Sequence, residues 1–173
     1  LHYHDFYKLI VFYGGIVSYM IEGKSYVLEP GDIVLVKRFD IHRTTIDSAV
    51  PYERTVLYIS ADCLENCRAP GYDSLFCFSQ AAEKKSYVLR VEDLGDTEAG
   101  RLLDRMNAGG DGYGWKREET LLFELFLLSV NRLCMEHKET RDIRPGAVYN
   151  PKVIDLLAYL REHLFEEISI DAL

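Results

Sequence analysis

Three of the five histidines have the type and spacing to do chemistry: His2, His4 and His42. His2 and His4 stand two apart in a stretch that reads as strand, so both imidazoles point to one face. His42 lies about one strand beyond the turn Pro30-Gly31-Asp32. Imidazoles gathered from neighbouring strands can hold a transition metal through an unprotonated ring nitrogen. They can equally be polar lining of a ligand pocket, satisfied by local hydrogen bonds. Lys8, Arg38 and Glu53 could fix a sugar or a carboxylate in such a pocket, although charged side chains more often stay solvated. Of the 12 tyrosines, Tyr3, Tyr13, Tyr19, Tyr26, Tyr52 and Tyr58 lie in or near strands. A phenol inside a pocket needs a hydrogen-bond partner, which a polar ligand supplies. The ligand-binding set drawn from these residues is His2, His4, Lys8, Tyr19, Arg38 and His42.

Cys63, Cys67, Cys77 and Cys134 are the other potential ligands. Cys63 and Cys67 are four apart, which is not a common zinc-knuckle spacing, and a zinc site on Cys63, Cys67 and Cys77 has no fourth ligand. Reduced thiols in a cytoplasmic protein are the simpler reading. No P-loop, no dinucleotide-binding glycine motif after a strand and no nucleophile elbow is present.

The elements that must position these residues differ between the two halves of the chain. The first half alternates. Tyr7 to Tyr13 is β-branched and aromatic, and Gly14-Gly15 marks a turn. From Ile16 to Ile21, Val17, Tyr19 and Ile21 share one face and Ser18 and Met20 the other. Further strands are expected at Tyr26–Leu28, Ile33–Val36, Tyr52–Ile59 and Tyr87–Val91, which together suggest a sandwich or barrel. After Leu94 the period changes. Asp96 or Thr97 can cap a helix with Ala99, Leu102, Leu103 and Met106 on one face. A second helix, about Lys116 to His137, is apolar nearly all round and must be buried on several sides, one of them open to a partner subunit. Residues 138–149 read as a linker. Asn150-Pro151 opens a third helix with a stripe from Val153 to Leu164, and Ser169 caps a fourth.

The net charge is -8 and the pI about 5.1, so this surface repels phosphate and should not bind nucleic acid by itself. No apolar run reaches the roughly 20 residues of a membrane span. The chain starts at Leu1 and stops inside an amphipathic pattern at Leu173, so both ends read as cuts in a longer protein.

His2-x-His4-Asp5-Phe6-Tyr7, Gly23, Tyr26 to Asp32 and Ile41-His42, with Gly15 and Gly31 at glycine positions, resemble the cupin barrel of bacterial AraC-type transcription regulators. The resemblance implies a mainly β fold with α: a cupin-like β-barrel (jelly roll) over 1–94 and a helical dimerisation annex over 95–139. It further implies a linker over 140–149 and, over 150–173, the start of a helix-turn-helix DNA-binding domain. Its implied function is not enzymatic. A small metabolite, such as a sugar, binds in the barrel of a homodimer, and DNA is bound only through the domain that follows. Leu122, Leu125, Phe126 and Leu133 are the expected dimer-interface residues. Metal-binding cupins share the His-x-His pair and distal histidine matched by His2, His4 and His42. A metal-dependent isomerase or dioxygenase using them is the alternative, and a transition metal is the one cofactor in view. Where cupins carry a glutamate ligand, however, Lys8 or Leu9 stands, and Arg38 and Phe39 replace the usual proline and glycine before the distal histidine.

Overall fold

The alternating first half of the chain builds two antiparallel sheets, seen in a computed structural model that describes residues 2–136. Seven strands contribute: β1 (Tyr7–Gly14), β2 (Val17–Ile21), β3 (Lys24–Val27), β4 (Ile33–Val36), β5 (His42–Ile46), β6 (Glu53–Ile59) and β7 (Val88–Leu89). One sheet has the order β6-β1-β4-β7, the other β3-β2-β5. Strand β1 pairs along both edges, with Leu9 opposite Leu35 on one side and Leu57 on the other. As the alternation of β2 requires, Val17, Tyr19 and Ile21 are buried. Every residue of β4 is buried, the mark of a strand covered on both faces.

Helices cover the outer face of the larger sheet. Two of them, α1 (Ala61–Asn66) and α2 (Phe76–Lys84), interrupt the stretch between β6 and β7, where no helix was expected. The cap signal for α1 is nonetheless present: the Ser60 hydroxyl accepts the Cys63 N–H at 3.1 Å, and Asp62 occupies the first turn. Helix α2 has no side-chain cap of its own. Instead Asn131, buried 54 residues further on, accepts the Cys77 N–H at 3.0 Å and donates to the Asp73 carbonyl at 3.1 Å. Helix α3 (Glu98–Ala108) starts where the sequence indicated, with the Thr97 hydroxyl accepting the Gly100 N–H at 3.0 Å.

Asn131 lies on the last helix, α4 (Trp115–Glu136), whose apolar surface is divided. Leu122 and Phe126, expected at a dimer interface, are buried within the chain itself, and Leu133 packs against the same core. Their burial therefore needs no partner. Leu125, by contrast, is 46% exposed. The expected linker over 140–149 and the helical stretch over 150–173 lie outside the described residues, as does the end of the 95–139 segment.

The turn Pro30-Gly31-Asp32 packs tightly against its neighbours. The Gly31 N–H donates to the Phe12 carbonyl at 2.8 Å, and Asp32 accepts the Glu29 N–H at 2.8 Å. Gly31 sits at φ +93°, and a β-carbon there would lie 2.5 Å from the Val91 carbonyl oxygen. Neither the backbone angle nor the space admits a side chain. Gly31→Ala should cost about 2–4 kcal/mol, read as a lower urea midpoint at unchanged slope; an unchanged midpoint would mean that this turn can relax freely.

Candidate functional site

The inward face of β1 alternates with the face that meets the helices. Tyr7 packs outward on Phe78 of α2, with ring centroids 4.9 Å apart. Lys8 points the other way, between the sheets, and its ammonium donates to the Tyr19 hydroxyl of β2 at 3.2 Å. Pairing then fixes the neighbours. Tyr58 lies opposite Lys8 across β6, while Thr44 and His42 lie opposite Tyr19 and Ile21 across β5. The Lys8 ammonium sits 5.9 Å from the ring centroids of both Tyr19 and Tyr58.

The amino-terminal segment brings the other histidines to this point. His2 and His42 exchange backbone hydrogen bonds at 3.1 and 3.2 Å, which extends β5 by one bridge. The His42 ring then lies 4.1 Å from that of His2 and 4.8 Å from that of His4. His4 stacks on Phe6 at 3.7 Å, and Tyr19 lies parallel to His42 at 6.0 Å. The convergence expected from the sequence is therefore present. Arg38 does not join it: its guanidinium pairs with Asp5 at 2.6 Å, covers the Phe39 ring and acts on Tyr7, which lies on the opposite face of β1. Tyr58 was named only as one of six strand tyrosines and Thr44 not at all, because only the strand register reveals that they adjoin Lys8 and Tyr19.

Two imidazoles are fixed in one tautomer. Nδ1 of His4 lies 2.8 Å from the Phe6 carbonyl oxygen, and Nδ1 of His42 lies 3.0 Å from that of Asp40. A carbonyl only accepts, so both Nδ1 atoms carry the proton and both Nε2 atoms carry a lone pair. Neither buried Nε2 has a hydrogen-bond partner among the described residues. The loop before His42 is built to hold this orientation. Asp40 accepts the Lys37 N–H at 2.9 Å, and Phe39 adopts φ +67°, left-handed backbone that ordinarily favours glycine. The residue that replaces the cupin glycine thus keeps the glycine conformation.

Burial lowers the pKa of all three histidines, and the Lys8 ammonium lowers it further. For fully buried His42 the value falls from 6.5 to about 4. Lys8 is itself lowered by burial, with Arg54 adding to that and Tyr58 opposing it. The thiols lie elsewhere, around α1, α2 and α4, and all four are free. Burial pushes Cys67 up to about 11 and Cys134 up to about 12, and raises Cys77 strongly, so these three are protonated and unreactive at neutral pH.

Nδ1 anchoring to a carbonyl is what metal-bound histidines also show, so the fit of a metal has to be decided by the rest of the donor set. His2 is exposed, and no carboxylate joins the imidazoles. Among the described residues no group of three or more His, Cys, Asp or Glu side chains is arranged to hold a metal ion. The nearby Lys8 ammonium would repel a dication. A concavity of about 630 Å³ lies away from the histidines between Ala69–Phe76 and the end of α4. Its polar side chains are already engaged, Asn131 with Tyr72 and Asp73, and Arg132 with Glu98.

Two antiparallel sheets enclosing anchored polar side chains define a mainly β ligand-binding module. Residues 1–122 match the AraC-like ligand binding domain, and the chain belongs to that cupin-like regulatory family. No curated protein matches the sequence. Among the described residues no helix is long and apolar enough to cross a membrane.

The depressed His42 pKa has a thermodynamic consequence. Between pH 6.5 and about 4 the unfolded chain binds a proton that the folded chain refuses, so stability falls as the pH falls through that window. The full contribution, present above pH 6.5, is on the order of 3 kcal/mol. Urea midpoints measured from pH 7 down to 4 should therefore drop more steeply for the native chain than for His42→Phe; parallel curves would show that His42 titrates normally in the fold.

Proposed function

We propose that this chain is the effector-sensing half of a transcription regulator and binds a small polar metabolite between its two sheets, against His4, His42, Lys8 and Tyr19. One observation carries the reading: two neutral imidazoles 4.8 Å apart, each anchored through Nδ1, have a buried Nε2 acceptor with no partner among the described residues. A buried acceptor left unpaired costs about 1–3 kcal/mol, and a ligand hydroxyl that donates to it recovers that cost. A hydroxyl-rich metabolite such as a sugar meets the requirement. Binding that favours one arrangement of the subunit over another shifts its population, which is how an effector signals. The DNA-binding function belongs to a domain beyond this acidic one, and the free thiols suit the cytoplasm. No observation favours the metal-dependent enzyme. Thermal melting in the presence of a sugar and organic-acid panel tests the proposal: at least one member should raise the midpoint, and His42→Phe should abolish that rise. A panel without effect on the native chain would contradict the reading.

The regulator acts as a homodimer through α4. Leu121, Leu125, Leu128, Arg132 and Met135 recur at alternating steps of four and three along this helix, and Leu121, Leu125 and Met135 are 43%, 46% and 64% exposed. That spacing is the seam of two packed helices. The interface therefore uses Leu125 of the expected set, while Leu122, Phe126 and Leu133 support the helix from within. Light scattering should give twice the chain mass for the native protein and a single chain mass for Leu125→Glu with unchanged circular dichroism. A native monomer at high concentration, or a variant that stays dimeric, would refute this surface.

A further inference from the structure

We propose that the ligand is an anionic polyhydroxy acid, its carboxylate on the Lys8 ammonium and its hydroxyls donating to Nε2 of His4 and His42; this rests on the ligand-sensing reading above. Lys8 is a half-buried ammonium with three donors, of which one goes to the Tyr19 hydroxyl. Among the described residues it forms no ion pair. The carboxylates nearest in sequence or pairing are engaged elsewhere, Asp5 with Arg38, and Glu29 and Asp32 with Arg90. Glu22 accepts the Ile41 N–H at 2.7 Å.

The groups that face the site from each element are therefore cationic or neutral. Strand β1 gives Lys8, β2 gives Tyr19, β5 gives His42 and Thr44, and β6 gives Arg54 and Tyr58. His2 and His4 complete the ring of neighbours, and the charged side chains that act most on Lys8 and the imidazoles are basic: Arg54 on Lys8, and Lys8 on all three histidines. A buried charge without a counter-ion is costly, and an incoming carboxylate removes that cost with charge-assisted hydrogen bonds. The two Nε2 lone pairs require donors at the same time. An ammonium on the ligand would donate but would meet Lys8 and Arg54, so the donors are hydroxyls. A simple alkanoate satisfies Lys8 and leaves both imidazoles unpaired. A neutral sugar satisfies the imidazoles and leaves Lys8 without its counter-charge. An acid bearing hydroxyls satisfies both.

Titration calorimetry on the full 173-residue chain separates these cases. The probes are gluconate, galactonate, arabinonate and xylonate, their four parent aldoses, and hexanoate. At least one aldonate should bind, with its parent aldose and hexanoate about ten- to a hundredfold weaker. Lys8→Met should lose a similar factor for the aldonate, and Lys8→Arg should regain part of it. Affinity of the native chain for the aldonate should also fall with added salt while any aldose binding does not, a readout that needs no variant to fold. An aldose that binds as tightly as its aldonate, with no salt dependence and no effect of Lys8→Met, would overturn the anionic ligand and leave the sensing role standing. Hexanoate binding as tightly as every aldonate would overturn the hydroxyl requirement alone. No binding by any probe, acid or neutral, would overturn both.

Discussion

Strand β1 is covered on both faces, so each of its side chains must find partners in one layer or the other. Tyr7, Leu9 and Val11 are taken up on the helical side, where Tyr7 meets Phe78. Ile10 and Phe12 are buried on the alternate face. Lys8 is the only charged residue in the strand, and a two-residue period leaves it no choice of face. Its long stem can pack among Tyr19 and Tyr58 while its ammonium stays at the edge of the interior. A charge held in that position sets the electrostatics of everything around it.

The histidines show the effect. Burial alone would favour neutral imidazoles, and the ammonium beside them pushes in the same direction. The backbone decides which nitrogen keeps the proton, because Phe6 and Asp40 offer carbonyls to Nδ1. What remains is a pair of buried acceptors within the influence of a cation, a combination suited to recognition and ill suited to holding a second positive charge. The helices hold this arrangement in a larger frame. Asn131 of α4 caps α2, and Tyr26 of β3 accepts the Tyr87 N–H just ahead of β7, so sheets and helices are joined by polar contacts as well as by apolar packing.

Much of this was legible in the sequence where a local rule fixes the outcome. Alternation placed β2, β-branched and aromatic composition placed β1, and an apolar run after a turn placed β4; the Thr97 cap placed the start of α3; and the two-residue step from His2 to His4 signalled a shared face. Matters that depend on register or on remote residues were not legible. Thr44 and Tyr58 enter the site only through the pairing of β2 with β5 and of β1 with β6. Arg38 sits close to His42 in sequence yet turns toward Asp5, since a nearby carboxylate outweighs proximity along the chain. Helix α2 escaped notice because its cap comes from Asn131, far downstream. The apolar girth of α4 required burial on several sides without saying which side meets a partner, and the fold assigns Leu122 and Phe126 to its own interior.

The central claim is that His4 and His42 are neutral, protonated at Nδ1, with buried Nε2 lone pairs that have no partner among the described residues. NMR correlation of the imidazole ring nitrogens with their carbon-bound protons, in isotope-labelled protein at neutral pH, reads this directly. The account predicts protonated Nδ1 and unprotonated Nε2 resonances for both residues. Protonation at Nε2, or a charged imidazolium at either residue, would contradict it.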